Sequence, residues 1–501
     1  MENNKKNILV IYPTPDPRKE VKNVNALLPA STLYASTPAS YHYNVTLLDT
    51  RLQKDWKTII SELSKQGIYA VGISCMTGHQ IMSASEIARY IRSIDANIPL
   101  IWGGVHPSLM PVQTLKNDLV DFVVVGLGEE TFLDLLNNLK DQSKYPSIEG
   151  IGYKSKGEIL VNKERGFFDL NKYPMPNYQL LKLEDYIVED TIPIFTSRGC
   201  PHSCSFCYNL VFNHKKYTAQ NAEHVIAHIE YLVNKHNIKT IGFVDDNFFV
   251  NKKRITEICE AIIKKGLNIN LNSGCRADYL DHFSIEFLKL IRKAGFNAIY
   301  VGVESGSEKI LKEIKKDITV EQVLRINKKL KTAGITPYFG FMGGFPGETI
   351  ADVKKTLKLM VKLVEDNSDA HVTQIMLATL SPRTDLFEAA KKHGFNPPSL
   401  LEQYHVFNYE AWDDSPYPWL KDDYKKFVKE IAYIVTWLDS KNMLGTGMLN
   451  TFFSRSLGFI IKTSIKLNLY FVIIHLSRFL KGFTKIKFLK NIVKAILKTK
   501  H

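Results

Sequence analysis

Two successive series of short apolar runs, separated by polar amphipathic stretches, constrain this chain more than any other feature. In residues 1–140 the runs are NILVIYP, VTLLDT, AVGISC, IPLIWGG and VDFVVVG, with stretches such as SASEIARYIRSI between them. Runs this short and this apolar read as strands buried on both faces, and their alternation with helices implies a doubly wound parallel sheet. Ligands of such sheets sit beyond the carboxyl ends of the strands. The loops CMTGHQ (75–80), GGVHPS (103–108) and GLGEE (126–130) fall there, and their glycines permit close backbone approach to a ligand, or serve only as tight β-to-α turns. Residues 141–190, including KYPMPNYQLL, read as a connector. A second series then runs through IPIFTS, TIGFVDD, LNSGC, AIYVGVE, PYFGFMGG and VTQIMLA, interleaved with helical patterns such as NAEHVIAHIEYLVNKH. Six βα units without reversal predict a partial (β/α)6 barrel over 191–395 with one open side, its functional residues at the C-terminal ends of the strands.

The 501 residues, 45% hydrophobic and 23% charged, suit two or three globular domains. Twelve of the basic residues behind the net charge of +14 lie in residues 440–501, which hold no Asp or Glu, so the rest of the chain is close to neutral. The same tail is rich in large aliphatic residues at helical intervals. Residues 396–501 are therefore expected to form a mostly helical, basic, amphipathic segment suited to an anionic membrane surface rather than to nucleic acid. Its longest apolar run, LYFVIIHL, is far short of the ~20 residues that span a bilayer. The alternative is a helical subdomain packed on the protein itself. The start, MENNKKNILVIYPTP, lacks the apolar core of a signal peptide, which places the chain in the cytoplasm, at most peripheral at the inner face of the membrane.

Three of the six cysteines lie in SRGCPHSCSFCYN, at Cys200, Cys204 and Cys207; Cys75, Cys259 and Cys275 are scattered. This is a metal or redox site rather than a disulfide framework. A structural zinc site wants four ligands, for which His202 inside the loop is the one further candidate. A four-iron cubane held by three cysteines instead leaves one iron open to a substrate or cofactor. The spacing Cys200-x3-Cys204-x2-Cys207, just after the first strand of the second series and with the aromatic Phe206 before the last cysteine, resembles the signature of the radical S-adenosylmethionine (SAM) superfamily.

That resemblance implies one [4Fe-4S] cluster whose open iron chelates SAM, an external electron donor such as a flavodoxin or ferredoxin, and cleavage of SAM to methionine and a deoxyadenosyl radical. It also implies SAM contacts from Asp246 in FVDDN, Arg276 in CRAD, and Glu304 and Ser305 in VGVESGSE, although Asp246 is equally placed to cap the next helix. GGFPGET (343–349) serves substrate access or a turn. A flavodoxin-like domain preceding such a barrel resembles the cobalamin-binding radical SAM enzymes, over roughly residues 5–395. Cobalamin is then expected on Ser74, Met76, Thr77, Gly103, Gly104, His106, Gly126, Gly128 and Glu129. The Asp-x-His-x-x-Gly motif that ligates cobalt in many cobalamin domains is absent, which leaves His79 and His106 as the histidines in the candidate loops. No further cysteine cluster marks the methylthiotransferase or peptide-modifying branches. The implied activity is methylation of an unactivated carbon in a hydrophobic, natural-product-like or lipid-like small molecule. A cyclisation or oxidative rearrangement like that of the anaerobic magnesium-porphyrin cyclases is the alternative, and a non-catalytic, metal-stabilised binding protein on a membrane is the remote one.

Overall fold

Four consecutive residues of NILVIY, Ile8 to Ile11, are buried in β1 (Asn7–Tyr12), so this strand needs a covering layer on each face. The computed structural model describes residues 5–17, 27–167, 169–407, 412, 415–435, 437–438 and 448–485. They fall into two units, the first of residues 1–248, 379–391 and 396–408, the second of 249–378, 392–395 and 409–501.

In the first unit β1 lies between β2 (Asn44–Asp49) and β3 (Ile68–Ser74), followed by β4 (Leu100–Gly103) and β5 (Phe122–Val124), all parallel. The order 2-1-3-4-5 is doubly wound, with its switch point between β1 and β3. On one face the helices Ala30–Ser40 and Gly128–Asn138 approach closely enough that a Cβ at Gly128 would lie 3.2 Å from Cβ of Ala35. The sheet does not stop at the fifth strand. β6 (Ile151–Ser155) and β7 (Glu158–Val161) extend it antiparallel, from within the stretch read as a connector. Lys156 and Gly157, at φ 50° and 84°, form the two-residue turn whose twist suits a hairpin. These strands are short and β7 is largely exposed, so no alternating pattern marked them. The rest of the connector is tied to the same unit: Tyr178 Oη is 2.8 Å from Nε2 of the buried His228, and Tyr186 donates to Asp49.

The second series opens in the first unit with β8 (Thr191–Ile194). A short hairpin of β9 (Ser197–Gly199) and β10 (Tyr217–Ala219) follows, and β11 (Thr240–Phe243) pairs parallel with β8. In the second unit β12 (Asn270–Gly274), β13 (Phe296–Glu304), β14 (Thr336–Gly343) and β15 (His371–Leu377) are parallel neighbours in chain order. The helices between them start and stop where side chains dictate. Thr319 with Gln322, and Thr349 with Asp352, form capping boxes, while Gly266 and Gly334 end their helices in the left-handed conformation. The two parallel strands of the first unit and the four of the second account for the six apolar runs of the sequence.

The helices Asp422–Val435, Met448–Lys466 and Tyr470–Lys485 belong to the second unit. Ile461, Ile465 and Ile473 are buried there, Tyr470 meets Phe427 edge-on, and Glu430 accepts from Ser477 and Lys481. The described side chains between residues 457 and 481 thus pack on this unit; residues 439–447 and 486–501 lie outside the described residues. Among the described residues no helix is long and apolar enough to cross a membrane.

Candidate active site

The hairpin β9–β10 brackets the cysteine loop. Gly199, the last residue of β9, sits at φ 84° with its Cα so close to the partner strand that a Cβ would lie 2.1 Å from the Lys216 carbonyl oxygen, so only glycine fits. Two adjacent carboxylates after β11 then divide the anchoring. Asp245 is buried and accepts from the Thr196 amide at 2.6 Å and from the Thr196 and Ser197 hydroxyls at 2.7 Å, fixing the strand. Asp246 accepts from the Gly199 amide and the Asn209 side chain at 2.7 Å and from Asn213 at 3.3 Å, tying both ends of the cysteine loop to one side chain. A carboxylate offers about four lone-pair sites. Three are used, so one remains for a ligand donor such as the amino group of SAM.

Inside the loop, Cys204 is buried, Cys200 and Cys207 are half-buried, and the Cys207 amide donates to the Cys204 carbonyl. Phe206 is half-buried between the last two cysteines. Burial pushes the Cys207 thiol up to about 12, and Cys204, Asp246 and Cys200 add to the shift. The Asn247 amide lies 3.7 Å from Cys200 Sγ. None of the six cysteines is in a disulfide. Three soft thiolate donors suit iron in a cluster. Among the described residues no three His, Cys, Asp or Glu side chains converge on a single-ion site. Thiolates that each bind a different iron of a cubane need not converge on one point.

A cavity of about 570 Å³ in the first unit opens at the carboxyl ends of β1, β3, β4 and β5. Its wall is mostly apolar. Of the residues singled out in the sequence, Ser74, Met76, Gly103, Gly104, Gly126, Gly128 and Glu129 line it, and so does Asp246 from beside the cysteine loop. Gly104, at φ 95°, packs against Cys75 so tightly that a Cβ would lie 2.9 Å from the carbonyl oxygen. Sheet loops and cluster-loop neighbours therefore face one space. Thr77 and His106 are not on its wall. The buried His106 is hydrogen-bonded through Nδ1 to Thr77 Oγ1 at 3.0 Å and through Nε2 to Gln113 at 3.3 Å, and burial lowers it to about 4. His79 is also off the wall, with Nδ1 3.2 Å from Asp16. Neither histidine lines the cavity, and both ring nitrogens of His106 are engaged within the protein.

Residues that the sequence did not mark complete the wall. Arg198 lies over the rings of Tyr34 and Phe195, 4.9 and 4.5 Å from their centroids, and its guanidinium meets Glu129 at 3.3 Å with both side chains nearly buried. Tyr34 donates to the Phe195 carbonyl and accepts from its amide, bracing this edge, and Tyr208, directly after Cys207, also faces the cavity. Position immediately beside the cysteines was the one available signal for Arg198 and Tyr208; Tyr34 had none.

In the second unit the remaining candidates sit at or just after strand ends and are internally paired. Arg276, after β12, bonds Asp278 at 2.9 Å and the Lys316 carbonyl at 2.6 Å. Glu304, ending β13 at φ 69°, pairs with Lys316 at 2.7 Å. Ser305 lies 3.3 Å from Thr356 Oγ1 and accepts from the Ser307 amide. After β14, the GGFPGET turn wraps Glu348, which accepts from the Gly344 amide at 2.6 Å and from Tyr424 at 2.8 Å, while Trp419 donates to the Gly344 carbonyl. Desolvation pushes Glu348 up to about 7 despite these donors.

Residues 194–360 match the Radical SAM superfamily and residues 23–136 match the B12 binding domain. An uncharacterised methyltransferase of Pyrococcus horikoshii is 31% identical over 390 residues, covering 76% of this chain and 82% of that protein. An anaerobic magnesium-protoporphyrin IX monomethyl ester cyclase of Rubrivivax gelatinosus is 29% identical over 356 residues, covering 68% of this chain and 60% of that protein. Among solved structures, the cobalamin-dependent S-adenosylmethionine radical enzyme OxsB, with aqua-cobalamin and S-adenosylmethionine bound, gives a TM-score of 0.73 at 18% identity over 99% of this chain and 75% of that one. The radical S-adenosylmethionine methyltransferase TsrM from Kitasatospora setae gives 0.66 at 17% identity over 94% of this chain and 99% of that one. At these identities the structural likeness establishes the fold.

Proposed function

The chain belongs to the radical SAM enzymes that carry a B12-binding domain, and from that premise we propose that it methylates an unactivated carbon of an apolar small molecule. Its cofactors are a [4Fe-4S] cluster, SAM and cobalamin, which together supply one-electron chemistry and a methyl carrier when bound. The observation that carries the reading is the single cavity faced by both the B12-type sheet loops and the neighbours of the cysteine loop.

The roles we assign follow from that cavity. Cys200, Cys204 and Cys207 anchor one cluster and leave one iron without a protein ligand. Asp246 holds the ends of their loop and offers its last acceptor site to SAM. Arg276, Glu304 and Ser305 do not line that cavity, and their assignment to SAM rests on the family likeness alone. Gly103, Gly104, Gly126 and Gly128 would let a corrin approach the backbone, and among the described residues no histidine lines this wall. The mostly apolar wall excludes water and selects an apolar substrate, natural-product-like or lipid-like. The electron comes from an external donor of flavodoxin or ferredoxin type, and we place the reaction in the cytoplasm.

Ring closure without net methyl transfer is the second reading, favoured by the similarity to the magnesium-porphyrin cyclase. The test is anaerobic reconstitution with cobalamin, iron and sulfide, followed by turnover of SAM labelled in its methyl group with apolar candidate substrates. Label in the product supports methylation. A product without label supports cyclisation, and a protein that binds no cobalamin while cleaving SAM refutes both.

A further inference from the structure

Three consecutive side chains after β11 reach the cysteine hairpin. Asp245 fixes β9, and Asp246 ties the two ends of the loop through the Gly199 amide and the Asn209 side chain. The third is Asn247, which is 3% exposed and places its side-chain nitrogen 3.7 Å from Sγ of Cys200, within reach of an N–H···S hydrogen bond. Its position is not left to chance. Phe243 and Phe248, on either side of the segment, are both buried and stack with ring centroids 4.3 Å apart, which pins the short stretch of chain between them.

A buried asparagine that serves packing alone spends both ends of its amide on the protein. Asn327 does so in the second unit, donating to the Leu363 carbonyl at 2.8 Å and accepting from Asn367 at 3.1 Å. Asn247 does not. Its buried Oδ1 meets no hydrogen-bond donor among the described residues, and the end that is engaged is the one turned to sulfur. The amide also differs in sign from its neighbours. Asp245 and Asp246 supply carboxylates to backbone and hydroxyl donors, whereas a third carboxylate at 247 would set like charge against the Cys200 thiolate; the amide nitrogen, which can only donate, sets a donor there instead.

An electron added to an iron–sulfur cluster puts more negative charge on its sulfurs, so a hydrogen-bond donor to sulfur stabilises the reduced state more than the oxidised one and raises the potential. We propose that Asn247 donates to the Cys200 thiolate when that sulfur holds iron, and so raises the reduction potential of the cluster toward the range of an external donor. The inference rests on the cluster assigned to Cys200, Cys204 and Cys207. Asn247 acts through Cys200 and is given no contact with SAM, cobalamin or substrate.

The test is a redox titration followed by electron paramagnetic resonance, on the full-length protein reconstituted with iron and sulfide and without SAM or cobalamin. Asn247→Leu keeps the shape of the side chain and removes the donor. It should shift the one-electron equilibrium about tenfold toward the oxidised cluster, a midpoint ~59 mV lower. A merely structural role would leave less cluster at an unchanged potential, so a wild-type or raised midpoint in the loaded fraction would overturn the proposal. Should Asn247→Leu hold no cluster, wild-type protein with asparagine isotopically labelled at the side-chain nitrogen gives an independent readout: hyperfine coupling of that nitrogen to the reduced cluster is expected, and its absence would overturn the proposal. Wild-type protein that holds no four-iron cluster by iron and acid-labile sulfide analysis would instead overturn the cluster assignment, and this proposal with it.

Discussion

Replacing Asp246 by asparagine isolates the carboxylate that holds the cysteine loop. The substitution keeps shape and one acceptor but turns an NH2 group toward donors. In the structure one oxygen takes the Asn209 amide at 2.7 Å and the other takes the Gly199 amide at 2.7 Å and Asn213 at 3.3 Å, so whichever oxygen becomes nitrogen faces at least one donor. A hydrogen bond to a charged group contributes about 1.5–3 kcal/mol, and leaving a buried partner unsatisfied costs roughly 1–3 kcal/mol more. Some of this relaxes by rotation, so we expect a net loss of about 2–4 kcal/mol. At 1.36 kcal/mol per factor of ten, that is roughly a 30- to 1000-fold rise in the open population of the loop. Hydrogen exchange on the metal-free protein reads this directly, as lost protection over residues 199–213 with protection of β1 to β5 unchanged. Iron and acid-labile sulfide after reconstitution should fall in parallel. Unaltered protection of the loop, with full iron loading, would refute the assignment of Asp246 as its anchor.

Three further outcomes are expected. Glu348 has its folded value raised to about 7 from the ordinary 4.5, so the unfolded chain releases its proton first and stability falls as pH rises between those values, by at most about 3 kcal/mol. Glu348→Gln should remove that loss, with urea midpoints that match wild type near pH 4.5 and exceed it at pH 8; parallel curves would show that the group is not desolvated. Because both members of the Arg198–Glu129 pair are nearly buried, Glu129→Gln alone should cost about 3–5 kcal/mol by stranding the guanidinium, and the Arg198→Met, Glu129→Gln double variant much less; additive losses in chemical denaturation would show that the pair is uncoupled. Gly104→Ala, forced to φ 95° with its Cβ against Cys75, should lower the melting midpoint and weaken cobalamin binding in a spectral titration, whereas the same change at Gly157, with nothing within 4 Å, should leave cobalamin binding unchanged.

What could be read from the sequence was whatever depends on strong local pattern. Five continuous apolar runs revealed β1 to β5 because a strand buried on both faces needs nothing but apolar residues, and Cys200, Cys204 and Cys207 stood out because three thiols in one short loop have few structural uses. The hairpin β6–β7 escaped because both strands are short and the edge strand β7 is largely exposed, so packing left little trace in its composition. Arg198, Tyr34 and Glu129 meet only after chain segments far apart in sequence have folded, and no spacing encodes that meeting. His106 shows the converse case. A histidine in a glycine-rich loop has the chemistry of a ligand, but both its nitrogens are spent on Thr77 and Gln113, a fact of tertiary structure alone. The tail was ambiguous for a related reason, since a basic amphipathic helix has the same sequence whether its apolar side meets lipid or protein, and here Ile461, Ile465 and Ile473 are buried against protein.

The hairpin that closes the cysteine loop bears on how such a protein survives air. Its ends are joined by three residue pairs, Ser197 to Ala219, Arg198 to Thr218 and Gly199 to Tyr217, and are held further by Asp246, none of which needs iron. The entropy of closing that loop is therefore already spent by the polypeptide before any metal arrives. Oxidative loss of a cluster then becomes an injury to the occupant rather than to the socket. Loss of the cluster would leave those bonds, and so the join between the two ends of the loop, in place.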